Sequence, residues 1–213
     1  MKRLKFKTSY KLICVFIILL LFVIIMINNN FLLISNTDYE ESVGIIDGNI
    51  TTFYDNVSYF ENCMLFDGSE THGDKMIDFA LKIQNNLDLY YFDATNELGV
   101  IDTDSIIKGL DWMLENSVTR VNISLSSKTY SMELAEWISN HDEIMVFASY
   151  NNRMNTNDFP AMYEGVYGSG SNSKVTYKSI DIQYSNNRIM LCSAPLGLYN
   201  GNSYLSILSM LQY

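Results

Sequence analysis

Proline is almost missing from this chain of 213 residues: only Pro160 and Pro195 occur, and neither falls inside a run that reads as a helix or strand. No predicted element therefore has to be kinked or confined to a sheet edge. Histidine is as scarce. His72 and His141 stand apart from each other and from any cysteine cluster, so there is no metal-ligand spacing, and neither a metal nor another cofactor is expected. Of the three cysteines, Cys14 lies in an apolar run, which leaves Cys63 and Cys192 as the only pair an oxidising compartment can bridge. Their separation permits a bridge without arguing for one. Also lacking are an internal repeat, a low-complexity linker and a glycine-rich fingerprint after the first strand. The last omission weighs against a nucleotide-binding module.

Basic residues are in short supply too, 14 against 24 acidic ones, and five of the 14 crowd the first eleven positions as Lys2, Arg3, Lys5, Lys7 and Lys11. Beyond that segment, nine basic and 24 acidic groups leave a net charge of −15. A nucleic-acid partner needs the opposite sign. Directly after the basic segment comes an unbroken apolar run over 12–27, prolonged by Phe31, Leu32 and Leu33. A basic flank before a hydrophobic segment marks export, either as an anchor with its basic end in the cytoplasm or as a cleaved signal. Residues 28–36, NNNFLLISN, contain no small-x-small cleavage site. That favours the anchor, although an apolar run of sixteen residues falls slightly short of the usual span of about 20. The expected organisation is a cytoplasmic segment over 1–11, a membrane anchor or signal segment over 12–34, and one exported globular domain over 35–213.

Within the exported part, short β-branched runs alternate with helical patterns, the signature of strand-helix-strand units and a mostly parallel sheet. Strands are expected over 43–47, 87–92, 120–125, 144–149, 166–169, 175–184 and 188–193. Between them Met76, Phe79, Ala80, Ile83 and Leu87 recur at helical spacing. Thr103 or Asp104 is expected to cap a second helix whose apolar face carries Ile106, Ile107, Leu110, Met113 and Leu114. A third helix is expected over 131–140, and a last one begins at Ser203. In open α/β sheets, active sites gather at the carboxyl ends of the parallel strands.

The polar residues at those strand ends, in order, are VGIIDGNI (43–50), THGD (71–74), VNISLS (121–126), VFASYN (146–151) and NGNS (200–203). Taken singly each has an ordinary explanation: Asp47 as a turn residue, His72 as a surface residue, Asn151 as part of a loop and Ser203 as a helix cap. Taken in order they resemble the subtilisin-like serine peptidases. That family ends its first core strand in an IIDTGI-like motif, opens a helix with HGT and lines its cleft with SLG. It takes an oxyanion-hole Asn from AAGN and its nucleophile from GTS. FPA (159–161) is similar to the family's YPA-like segment, and the similarity covers about residues 42–210.

The resemblance implies a three-layer α/β fold around a mostly parallel central sheet, and the apolar segment is expected to precede it as one N-terminal transmembrane helix. It also implies a serine endopeptidase. Ser203 would be the nucleophile, His72 the general base and Asp47 the carboxylate that orients it, with Asn151 donating to the oxyanion. These residue types are required because a serine hydroxyl is a poor nucleophile until a histidine takes its proton. Ser124, Leu125 and Ser126 would form one edge of the substrate groove and pair with an extended peptide. Asp158, just before FPA, would lie at the base of the primary specificity pocket and favour cleavage after lysine or arginine. The expected partners are a peptide or protein substrate and the membrane.

Four positions depart from the family pattern: Asp74 replaces the Thr after His-Gly, Tyr150 the Gly before the oxyanion Asn, Asn202 the Thr before the nucleophile, and Ser126 the Gly of SLG. Asp74 puts an extra negative charge near His72, an arrangement that raises a histidine pKa. Tyr150 is expected to narrow the cleft or disturb Asn151. These departures motivate a second reading, a catalytically degenerate peptide-binding pseudoprotease. His141, at a helix end, reads as a surface residue.

Overall fold

The computed structural model describes residues 15–17, 42–61, 63–152, 158–171, 181–185, 188–193 and 201–213. The chain divides into two units, Met1–Asp38 and Tyr39–Tyr213. In the first, Val15, Phe16 and Ile17 are helical, and the rest of the expected anchor over 12–34 lies outside the described residues. Among the described residues no helix is long and apolar enough to cross a membrane.

The second unit is organised on a sheet of β1 (Ser42–Asp47), β2 (Val57–Tyr59), β3 (Asp88–Asp93), β4 (Arg120–Ile123), β5 (Met145–Ser149), β6 (Val166–Ser171), β7 (Asp181–Ser185) and β8 (Arg188–Ser193). Their order across the sheet is β2-β3-β1-β4-β5-β6-β8-β7. All neighbouring pairs are parallel except β7 with β8. Burial on both faces explains the nearly continuous apolar run of β1, whose Val43, Ile45 and Ile46 are all fully buried. The strand read over 175–184 is described only as β7, since 172–180 lie outside the described residues. β2 escaped the sequence reading, because three residues are too few for an alternating pattern to register.

Four helices accompany the described strands: α1 (His72–Ile83), α2 (Thr103–Glu115), α3 (Met132–Asn140) and α4 (Asn202–Gln212). Strand alternation sends successive side chains to opposite faces, and the contacts follow it. Ile46, Val121, Ile123, Val146 and Ala148 share a core with Leu110 and Met113 of α2 and Leu134 and Ile138 of α3. The intervening Arg120 and Asn122 reach α4 instead. The sheet is thus sandwiched between helical layers. Full burial of each large aliphatic side chain contributes about 1.5–3 kcal/mol before conformational entropy is subtracted.

The α2 cap is Asp102, one residue earlier than expected, because its Oδ1 accepts from the Ser105 N–H at 2.9 Å. A carboxylate satisfies the first-turn N–H groups and also complements the helix dipole there. In α3, Ser131 plays that part for Leu134 N–H at 3.2 Å.

β1 is flanked by β3 on one side and β4 on the other. The chain leaves it in both directions across the sheet, which opens a crevice beyond its carboxyl end. Asp47 is the last residue of β1.

Candidate active site

Asp47 is 1% exposed and accepts the Gly48 N–H at 2.8 Å on its Oδ1. Across the crevice His72 opens α1. Its Nδ1 lies 3.0 and 2.9 Å from the two Asp47 carboxylate oxygens. A carboxylate only accepts, so Nδ1 carries the proton and Nε2 presents its lone pair. That Nε2 stands 3.2 Å from the Ser203 hydroxyl. The hydrogen bond to Asp47, followed by the Coulombic attraction of its charge, raises the His72 pKa above the usual 6.5, against desolvation and the nearby Lys75.

Local sequence explains why His72 arrives there. Thr71 caps α1: its Oγ1 accepts from the Asp74 N–H at 3.2 Å, while the Asp74 carboxylate accepts the Thr71 N–H at 2.9 Å, a reciprocal capping box. Asp74 also accepts the Thr51 N–H at 3.0 Å and the Thr51 hydroxyl at 2.8 Å. Burial alone would push its carboxyl upward, but these bonds from Thr71 and Thr51 hold it below the usual carboxylate range. Asp74 therefore belongs to the cap, and the anion that lifts His72 is Asp47.

Gly73 lets the helix close on the loop after β1. A Cβ there would sit 2.1 Å from the Tyr91 hydroxyl, 2.9 Å from the Asn49 carbonyl and 3.0 Å from the Gly48 carbonyl. Tyr91, fully buried on β3, donates its hydroxyl to that Gly48 carbonyl. The His-Gly pair is thus a packing requirement as well as a motif.

Ser203 is the second residue of α4, which starts one residue earlier than the sequence placed it. The cap before it is Gly201 at φ 141°, a backbone conformation closed to residues with a side chain. Three residues of β4 and its extension face α4. Arg120 Nη1 donates to the Met210 carbonyl at 3.0 Å, Asn122 Nδ2 donates to the Ser206 hydroxyl, and Ser124 Oγ approaches the Ser203 carbonyl at 3.5 Å. Phe79 of α1 meets Tyr204 edge-on, with centroids 5.1 Å apart. Those contacts join the helix that carries His72 to the helix that carries Ser203.

Ser124, Leu125 and Ser126 leave the sheet after β4 and line, with Asp47 and His72, a cleft of about 410 Å³. Phe66 and Ile101 complete its apolar wall; both escaped the sequence reading, since no motif marks them. Ser127 then exchanges two 2.8 Å backbone hydrogen bonds with Phe159, tying the groove edge to the segment that holds Asp158.

Asn151 follows β5. Its N–H donates to Asp158 Oδ2 at 3.0 Å and its carbonyl accepts from Asn202 Nδ2 at 3.1 Å. Asp158 is 1% exposed. Tyr150, expected to crowd the cleft, is half-buried and turned against β6, where Gly168 has no side chain to obstruct the ring. Asn202, noted in the sequence only as a departure, is buried at the centre of these bonds. Its partners lie 31 to 52 residues away in the chain, too far for any local pattern to reveal. His141 is bound locally, its Nδ1 2.7 Å from the Trp137 carbonyl and its ring stacked on Trp137. Among the described residues no His, Cys, Asp and Glu group is arranged to hold a metal ion.

No protein-family model matches the sequence, and no curated protein matches it either. The fold does have solved counterparts. A psychrophilic subtilisin-like protease, Apa1, from the Antarctic psychrotroph Pseudoalteromonas sp. AS-11 superposes with a TM-score of 0.58 at 14% identity, over 73% of this chain and 41% of that one. The prenylagaramide maturation protease PagA gives 0.57 at 12% identity, over 80% of this chain and 72% of its own. A lanthipeptide protease gives 0.53 at 12% identity with the same coverage. This chain thus spans about two fifths of the length of Apa1 (41%). At such identities the likeness is one of fold: the mostly parallel α/β sheet fits a subtilisin-like fold.

Proposed function

We propose that the chain is a serine endopeptidase acting on exported peptides or leader segments, with Ser203 as nucleophile and Asp47, His72 and Asn151 as its supporting residues. The observation that carries this reading is the unbroken relay from Asp47 through His72, at 2.9 Å, to the Ser203 hydroxyl, at 3.2 Å. In the reaction, Ser203 Oγ attacks the scissile carbonyl carbon while His72 Nε2 takes its proton. The carbonyl oxygen becomes an oxyanion beside Asn151. His72 then protonates the departing amine, and a water molecule, deprotonated by the same nitrogen, releases the acyl group from Ser203. Asp47 holds the proton on Nδ1 and stabilises the imidazolium that forms at each step.

Fold likeness to two proteases whose names place them on peptide substrates supports the substrate class. Ser124, Leu125 and Ser126 supply the groove edge for an extended peptide. The basic and apolar segments over 1–11 and 12–34 anchor the domain to the outer face of the cell membrane in this reading. A tether from Ile27 to Val43 then limits its reach to roughly 50 Å. Sedimentation of the full chain with membranes, released by detergent and not by high pH, checks the anchor. The preference for lysine or arginine expected from Asp158 is not carried into this reading, because that residue is 1% exposed and its carboxylate is taken by the Asn151 N–H.

A fluorophosphonate probe tests the central reading: it should label the wild type and leave Ser203→Ala unlabelled. A folded wild type that stays unlabelled would instead fit a peptide-binding pseudoprotease.

A further inference from the structure

Asn151 has both of its backbone polar groups taken by buried side chains that arrive from elsewhere. Its N–H belongs to the peptide plane shared with Tyr150 and is held by Asp158 Oδ2 at 3.0 Å. Its carbonyl belongs to the plane shared with Asn152 and is held by Asn202 Nδ2 at 3.1 Å. Asp158 and Asn202 are each 1% exposed. Two fixed peptide planes leave the φ and ψ between them no freedom, and φ and ψ set the direction of the Cα–Cβ bond.

Asn202 makes further bonds. Nδ2 also donates to the Tyr150 carbonyl at 2.9 Å, Oδ1 accepts the Ser171 N–H at 2.9 Å, and its own N–H donates to Asn152 Oδ1 at 2.9 Å. The next residue is Ser203. One buried side chain therefore registers the end of β6, the 150–152 loop and the start of α4 against one another. Burying an amide and a carboxylate is costly unless their bonds are made. An apolar pair would fill the same space without that cost, but it would leave the loop untethered.

We propose that Asp158 and Asn202 are positioning residues that clamp the peptide planes on either side of Asn151 and so aim its side-chain amide at the developing oxyanion. The proposal rests on the Ser203 peptidase reading. Donors of this kind act only when they are already placed for the transition-state oxygen before the reaction begins. In this role Asp158 matters as a hydrogen-bond acceptor, and its charge is secondary.

Peptides carrying arginine or leucine before the cut, assayed for kcat and KM, test the clamp. Asp158→Ala and Asn202→Ala should each lower kcat by about tenfold to a hundredfold on both peptides with KM little changed, since an oxyanion donor acts only in the transition state. Asp158→Asn keeps an acceptor for the Asn151 N–H and should recover most of the loss. In an Asn151→Ala background each substitution should cost less than about threefold, because residues that act through one another are not additive. If Asn202→Ala fails to fold, the Asp158→Ala and Asn151→Ala cycle decides alone. Fully multiplicative losses in that cycle overturn the clamp, as does an Asp158→Asn enzyme that loses only its arginine peptides. A wild type that neither labels with fluorophosphonate nor cleaves overturns the peptidase reading and this inference together.

Discussion

The two halves of the site are held by opposite means. On one side, Asp47 and His72 meet because backbone comes close to backbone: Gly73 lies against the Gly48 and Asn49 carbonyls and the Tyr91 hydroxyl, and a capping box fixes the first turn of α1. On the other side, Ser203 and Asn151 are placed by buried polar side chains, chiefly Asn122 and Asn202, that reach between elements distant in the chain. The first half therefore has no room for added volume, while the second has no tolerance for a lost hydrogen bond. Their sequences differ to match. The first half keeps the His-Gly pair and departs from the family pattern at Asp74, which closes its capping box, while the second departs at Tyr150 and Asn202.

The largest effect should come from Ser203→Ala. Peptide cleavage should fall by at least about 10⁴-fold while the fold survives, because in the proposed reading this hydroxyl is the nucleophile and packs little. Cleavage at the wild-type rate would remove the comparison along with the enzyme. Gly73→Ala comes next, and a urea unfolding curve should register about 1–3 kcal/mol of overpacking. Adding Tyr91→Phe should return part of it, since the tyrosine hydroxyl is the nearest obstacle at 2.1 Å. No relief in the double variant would mean that the carbonyls set the limit.

Asp74→Ala is expected to cost about 0.5–2 kcal/mol through loss of the cap. Its carboxyl is held below the usual range in the folded state. The corresponding stability is thus present above the ordinary carboxylate pKa and is lost as pH falls through the lowered folded value. Equal acid unfolding of wild type and variant would break this assignment. The smallest effect is a displacement along the pH axis and concerns His72, whose pKa is raised by Asp47. Activity needs the neutral ring, so the acid limb of kcat/KM should lie above 6.5, and Asp47→Asn should move it down. Stability runs the other way: the contribution of His72 is complete below its unfolded pKa and is lost as pH rises through the folded one.

The sequence made the strand ends legible because β1 and β5 are short and largely apolar, β4 alternates Val121 and Ile123 with Asn122, each ends at or near a polar residue, and His-Gly sits at a helix start. Asp102 was missed by one position since three consecutive residues, Asp102, Thr103 and Asp104, are all good caps. The partners of Asn202 were out of reach for another reason. A buried amide looks the same in a sequence whether it bonds across the sheet or faces solvent, and only the placement of Tyr150, Asn152 and Ser171 around it distinguishes the two.

The polar rungs between β4 and α4 carry a further consequence. Residues 120, 122 and 124 project from one side of a strand and meet 210, 206 and 203 on one side of a helix running the opposite way. Four strand steps cover roughly 13 Å and seven helical steps roughly 10 Å, near enough for the pairing to hold from end to end. Residues 120–124 and Ser203 are then parts of one mechanical body. In hydrogen exchange the amides of α4 should open together with those of β4, as a single cooperative unit. A thermal fluctuation that shifts this segment would carry Ser203 with it and leave their separation unchanged.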